Sequence, residues 1–166
     1  IVGAKVTAIA ARDGQCPRGG KGCGVCSSIE GAFCITREEE GAEGKDTQRL
    51  IRAGAQRVYW LRALKAHLEE GARALMNEIG PDAWVVCESN SLRTVLEPGL
   101  FLMMTAKGTV SMKPSAAQVY GEVDVLVPFD GEGFGFDLDS LNLTQNGWAL
   151  SPGSRVEKTR KHDDTV

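Results

Sequence analysis

The chain has 166 residues, 42% of them hydrophobic, with 19 Lys and Arg against 22 Asp and Glu and a formal net charge of −3. That length supports one ordinary core, and the interspersed charges leave no basic field for a nucleic-acid backbone. Apolar runs are too short for a membrane span and no signal-peptide pattern is present, so no nucleic acid or membrane partner is expected and the cytoplasm is the expected location.

The first element is a buried strand over residues 2–10, where small and β-branched residues alternate loosely up to Arg12-Asp13-Gly14. Because residue 1 is Ile and the strand begins at once, an upstream segment is expected. A glycine-rich cysteine stretch follows, then a short apolar run over 32–36 that reads as an edge strand, then an acidic loop over 38–45. Asp46-Thr47 is a plausible N-cap for a helix carrying Leu50, Ile51 and Ala53 and ending at Gly54. Residues 58–61 form a short strand.

From about residue 65 to 79, apolar residues at Leu64, Leu68, Ala72, Leu75, Met76 and Ile79 recur at helical spacing, and Gly80-Pro81 closes that helix. Residues 83–87 read as a central parallel strand covered on both sides, and 100–105 and 123–127 supply two more strands. Strands alternating with helices imply a mainly parallel sheet in an α/β fold of three α/β/α layers. The expected organisation is one domain over 1–154 with a cysteine-rich insertion at 14–36, followed by a polar tail at 155–166.

Four of the five cysteines, Cys16, Cys23, Cys26 and Cys34, are spaced C-x6-C-x2-C-x7-C. Four thiolates this close can surround one zinc ion or an iron–sulfur cluster, with the glycines turning the backbone to aim them inward. The alternative is reduced, partly buried thiols. Arg18-Gly19-Gly20-Lys21-Gly22 could instead cradle a phosphate, but it lacks a following helix. Cys23-Gly24-Val25-Cys26 matches a redox C-x-x-C, though the following residues make a poor helix start.

Ligands of open parallel sheets sit beyond the carboxyl ends of the strands. There the sequence places Glu88, followed by Asn90, and, after the next strand, the turn at Lys113. A carboxylate just past such a strand can hold Mg²⁺ directly or through water, or can simply cap a helix or face solvent. Gly44-Lys45-Asp46-Thr47 joins a flexible loop, a cation and a carboxylate to a helix start, a combination that can meet an anion and its metal. It is equally the composition of an ordinary exposed helix start.

The run GKDT-x-R-L-x-x-A-G-A at 44–55, with VVCE at 85–88 after the long helix, resembles the small P-loop GTP-binding proteins of molybdenum cofactor biosynthesis, the molybdopterin-guanine dinucleotide biosynthesis protein B group. The resemblance spans roughly residues 3–104. It implies a P-loop NTPase-like fold binding GTP or ATP with Mg²⁺, and an accessory role beside a cofactor-biosynthesis protein, with a homodimer as the analogous assembly. It further implies a switch-like loop at Lys45, Asp46 and Thr47 and a Walker-B-like acid at Glu88, so that Glu88 and Asp46 are the catalytic candidates, while Asn90 and Lys113 join Lys45 and Thr47 as candidate nucleotide contacts on their strand-end positions. No G-x-x-x-x-G-K-[ST] occurs in this chain, so the phosphate loop is expected upstream of Ile1. The group's Lys-His pair is represented by Ala10-Ala11, its glycine after the acid is Ser89, and the cysteine insertion is a departure. The alternative function is a metal-binding or metal-delivery module without hydrolysis.

Overall fold

The computed structural model describes residues 1–10, 29, 31–39, 45–106 and 111–152. Its contacts divide the chain into two compact units, Ile1–Leu96 and Glu97–Val166. The first unit is a mixed α/β body built on a mostly parallel sheet.

Strand β1 (Val2–Ile9) is the spine of that sheet. It pairs in parallel with β3 (Arg57–Leu64) along its whole length and with β4 (Val85–Glu88) over Val2 to Lys5 only. Strand β2 (Phe33–Glu38) runs antiparallel on the outer side of β3, giving the order β2-β3-β1-β4. The expected edge strand is thus present and extends to Glu38. The strand expected at 83–87 in a covered central position is instead an edge of the four-stranded sheet. Val86 is 43% exposed as a result.

Side-chain alternation along β1 and β3 sends Val2, Ala4, Val6, Tyr59, Leu61 and Ala63 to one face. There they meet helix α2 (Leu68–Ile79) through Leu68, Ala72, Leu75 and Ile79. The helical spacing legible in the sequence is therefore the core-facing stripe. The predicted start near residue 65 is instead a 3₁₀ turn over Lys65–His67 that leads into α2. Gly71 lets the helix approach closely: a Cβ there would lie 3.1 Å from Leu61 Cδ1 and 3.3 Å from Phe33 Cβ. Gly80, at φ 89°, ends α2 in a conformation that L side chains rarely adopt, so the Gly80-Pro81 stop holds.

The opposite face begins at Gly3, where Leu50 of helix α1 (Asp46–Arg52) lies 3.1 Å from the position of an added Cβ. Asp46-Thr47 is not the cap of α1 but its first two residues. Lys45, in extended conformation, takes the cap position without a side-chain cap bond.

The second unit carries β5 (Leu102–Ala106) and β6 (Val125–Phe129), parallel to one another in a sheet of their own. The sequence reading placed both in one continuous sheet. A short helix α3 (Pro114–Ala117) contributes Ala116 to a core with Phe101, Met103, Val119 and Val123. The unit also holds a hairpin of β7 (Leu141–Thr144) and β8 (Gly147–Leu150) that the sequence reading did not anticipate. Asn146-Gly147 between alternating apolar residues was the available signal. Among the described residues no helix is long and apolar enough to cross a membrane.

Candidate functional site

On the face of the first sheet opposite α2, β1 offers Lys5 and Thr7, β3 offers Trp60 and Arg62, and β2 offers Cys34, Thr36 and Glu38. Lys5 is in register with Trp60 on one side and Glu88 on the other. Because β4 is short, its carboxyl end stops beside the middle of β1, and Glu88 meets Lys5 there. Asp46 arrives from the first residue of α1.

The Lys5 ammonium lies between the two carboxylates. Its Nζ donates to Asp46 Oδ2 at 2.8 Å and also to Glu88 Oε2. Arg49 Nη1 lies 3.7 Å from Asp46 Oδ1 and adds a second, exposed cation. The Lys5 side chain is 18% exposed, while those of Asp46 and Glu88 are 45% and 54% exposed, so the acids border solvent and the cation sits beneath them. The hydrogen bond and charge of Lys5 hold the Asp46 carboxyl below its ordinary value of 3.8, against the smaller opposing effect of partial burial.

The structure thus brings together two of the predicted residues, Asp46 and Glu88, and adds Lys5, which the sequence reading missed. Its signal was present: Lys5 is the one charge inside the apolar run of residues 1–11. Lys45 is exposed at the cap of α1. Thr47, 3% exposed, turns inward and donates its hydroxyl to Glu38 Oε2 at 3.2 Å. Asn90 starts the 3₁₀ turn Ser91–Thr94, and its carbonyl accepts from Arg93 N. Lys113 belongs to the second unit, at the start of α3.

Cys16, Cys23 and Cys26 lie outside the described residues. Cys34 is on β2, where its Sγ accepts from Arg62 Nη2 at 3.4 Å. The Arg62 guanidinium, from a residue only 6% exposed, also stacks 4.5 Å from the Trp60 ring centroid. Among the described residues no three His, Cys, Asp or Glu side chains converge as a metal-binding group.

No family model, curated protein or solved structure matches this chain. A recess of about 430 Å³, lined in part by Arg57, Asp82 and Trp84, opens at the amino ends of β1 and β3. That is the end opposite to the one where parallel sheets present ligand-binding groups.

Removing the central cation tests the electrostatics directly. Lys5→Met leaves two carboxylates facing each other, a case between an exposed and a buried broken pair, and costs about 1–2 kcal/mol at neutral pH. A carboxyl whose folded pKa is depressed stabilises the fold above its unfolded value and loses that contribution as pH falls through the folded value. For Asp46 the loss lies below the ordinary 3.8. Urea unfolding of parent and variant should accordingly differ at neutral pH and converge on acidification. Equal stabilities at neutral pH would remove the triad from the account.

Proposed function

We propose that the chain belongs to a P-loop-type protein that binds GTP or ATP, with a three-layer α/β/α fold, and that it serves as an accessory factor in metal-cofactor biosynthesis of the molybdenum cofactor kind. The observation that carries this reading is the convergence of Asp46, at the start of α1, and Glu88, at the carboxyl end of β4, on the one ammonium of Lys5. The parallel set β3-β1-β4, with α2 on one face and Leu50 of α1 against Gly3 on the other, supports the fold half of the proposal.

In this reading Asp46 and Glu88 are the carboxylates that would hold magnesium. Both are hard oxygen donors, both border solvent, and together they are the kind of carboxylate set that binds Mg²⁺ alongside substrate phosphates. Bound there, the ion would neutralise phosphate charge and polarise a phosphoryl oxygen. Lys5 orients the two acids and offsets their mutual repulsion. The cysteine set would hold zinc or an iron–sulfur cluster, and the setting would be cytoplasmic, with a cofactor-biosynthesis protein as partner and a homodimer as the assembly.

One observation favours a second reading, a metal-binding or metal-delivery module that does not hydrolyse nucleotide. Lys5 already satisfies both carboxylates, as it would in a purely structural triad. Calorimetric titration of the full protein separates the two. The nucleotide reading expects GTP or ATP to bind only with Mg²⁺, and Asp46→Asn to weaken that binding about 10–100-fold. Absence of binding by either nucleotide in the presence of Mg²⁺ would leave the second reading in its place.

A further inference from the structure

Glu38, at the end of β2, accepts two hydroxyl hydrogen bonds on its carboxylate: from Thr36 Oγ1 at 2.8 Å and from Thr47 Oγ1 at 3.2 Å. Thr36 Oγ1 in turn accepts from Arg62 Nη2 at 3.3 Å, and the same nitrogen donates to Cys34 Sγ. The donors and acceptors are consistent throughout. A guanidinium donates to a hydroxyl, that hydroxyl donates to a carboxylate, and the carboxylate takes its second bond from the helix. A charged group at each end makes these bonds stronger than neutral ones, and such chains polarise one another.

The connection is anchored at both ends. Thr47 and Gln48 are 3% and 4% exposed, and Gln48 Nε2 donates to Glu39 O at 2.8 Å, so the first turn of α1 is tied twice to the end of β2. Thr47 directly follows Asp46, which holds Lys5. At the other end Arg62 is buried against Trp60, whose Nε1 donates to Thr7 Oγ1 at 3.0 Å.

We infer that Glu38 is a positioning residue for the carboxylate site, and that the line Cys34–Arg62–Thr36–Glu38–Thr47 couples whatever Cys34 carries to the start of α1. Its relevance to nucleotide rests on the function proposed above; the coupling itself does not. A change at Cys34 that displaces the Arg62 guanidinium alters the support of Thr36, then of Glu38, and so the placement of Thr47 and Asp46.

The test is hydrogen–deuterium exchange of the α1 amides in the full chain, without nucleotide. Thr36→Val removes the middle link with little change of shape, and Cys34→Leu pushes on the far end. Each is expected to speed α1 exchange about fivefold, the lower end of what coupled sites show. Glu38→Leu should do at least as much, while Glu38→Gln, which retains an acceptor and the side-chain shape, should restore exchange to within about twofold. Thr94→Val, which removes a hydroxyl bond to Ser91 O in the same unit but outside the line, should leave α1 exchange unchanged. Unchanged exchange in Thr36→Val, or in a folded Cys34→Leu protein, overturns the inference, as does an equal effect of Thr94→Val. If Cys34→Leu does not fold, Thr36→Val decides. Since no nucleotide is present, failure here leaves the nucleotide reading standing, and failure of that reading leaves the coupling standing.

Discussion

Under the nucleotide reading proposed above, Glu88→Gln in the full protein is expected to depress nucleoside triphosphate turnover about 10–100-fold, the range typical of losing a group that holds or orients a catalytic metal. The side chain keeps its size and an acceptor oxygen but loses the charge that Mg²⁺ needs. Folding should hardly notice. Glu88 is 54% exposed, its partner Lys5 retains Asp46, and an exposed ion pair contributes about 0–1 kcal/mol. A melting temperature within about 4 °C of the parent follows, since 1 kcal/mol shifts a protein of this size by about 2–4 °C. Steady-state phosphate release and a thermal melt on the same preparations make the comparison. Turnover equal to the parent would take Glu88 off the list of catalytic groups, and a joint collapse of turnover and melting temperature would mark it as structural.

The second large effect concerns the cysteines. If Cys16, Cys23, Cys26 and Cys34 share one site, protein purified without oxygen carries one equivalent of zinc, or iron with inorganic sulfide and visible absorbance, and serine at any two of the four positions abolishes it. Zinc would identify a closed structural knuckle, and iron with sulfide a cluster. Elemental analysis and an absorbance spectrum decide between them. Of the four, Cys34 is the one on β2, where the Arg62 guanidinium donates to its sulfur. Metal-free protein with an unaltered circular dichroism spectrum would return the four residues to ordinary thiols. Cys87, exposed on β4 beside Glu88, stands apart from the spaced set and is expected to be indifferent to it.

Local periodicity determined the elements of this protein. The apolar spacing from Leu68 to Ile79, the stop at Gly80-Pro81, the edge strand before the acidic loop and the β-branched runs of the first and third strands were all legible, because each depends on residues within a turn or a strand of one another. Composition and residue type also picked out Asp46 and Glu88, but as separate candidates. Bringing them onto one ammonium required the register of β1 against β4 and the placement of α1 on the face opposite α2, which arise from long-range pairing. Lys5 and Arg62 went unread as site residues for a related reason: a lone cation in an apolar strand acquires partners only when neighbouring strands are laid beside it. The same limit explains the strands. An apolar run of four or five residues looks alike in the middle of a sheet, at its edge or in a separate two-stranded pair, so the edge position of β4 and the separate pairing of β5 with β6 were decided by tertiary contacts alone.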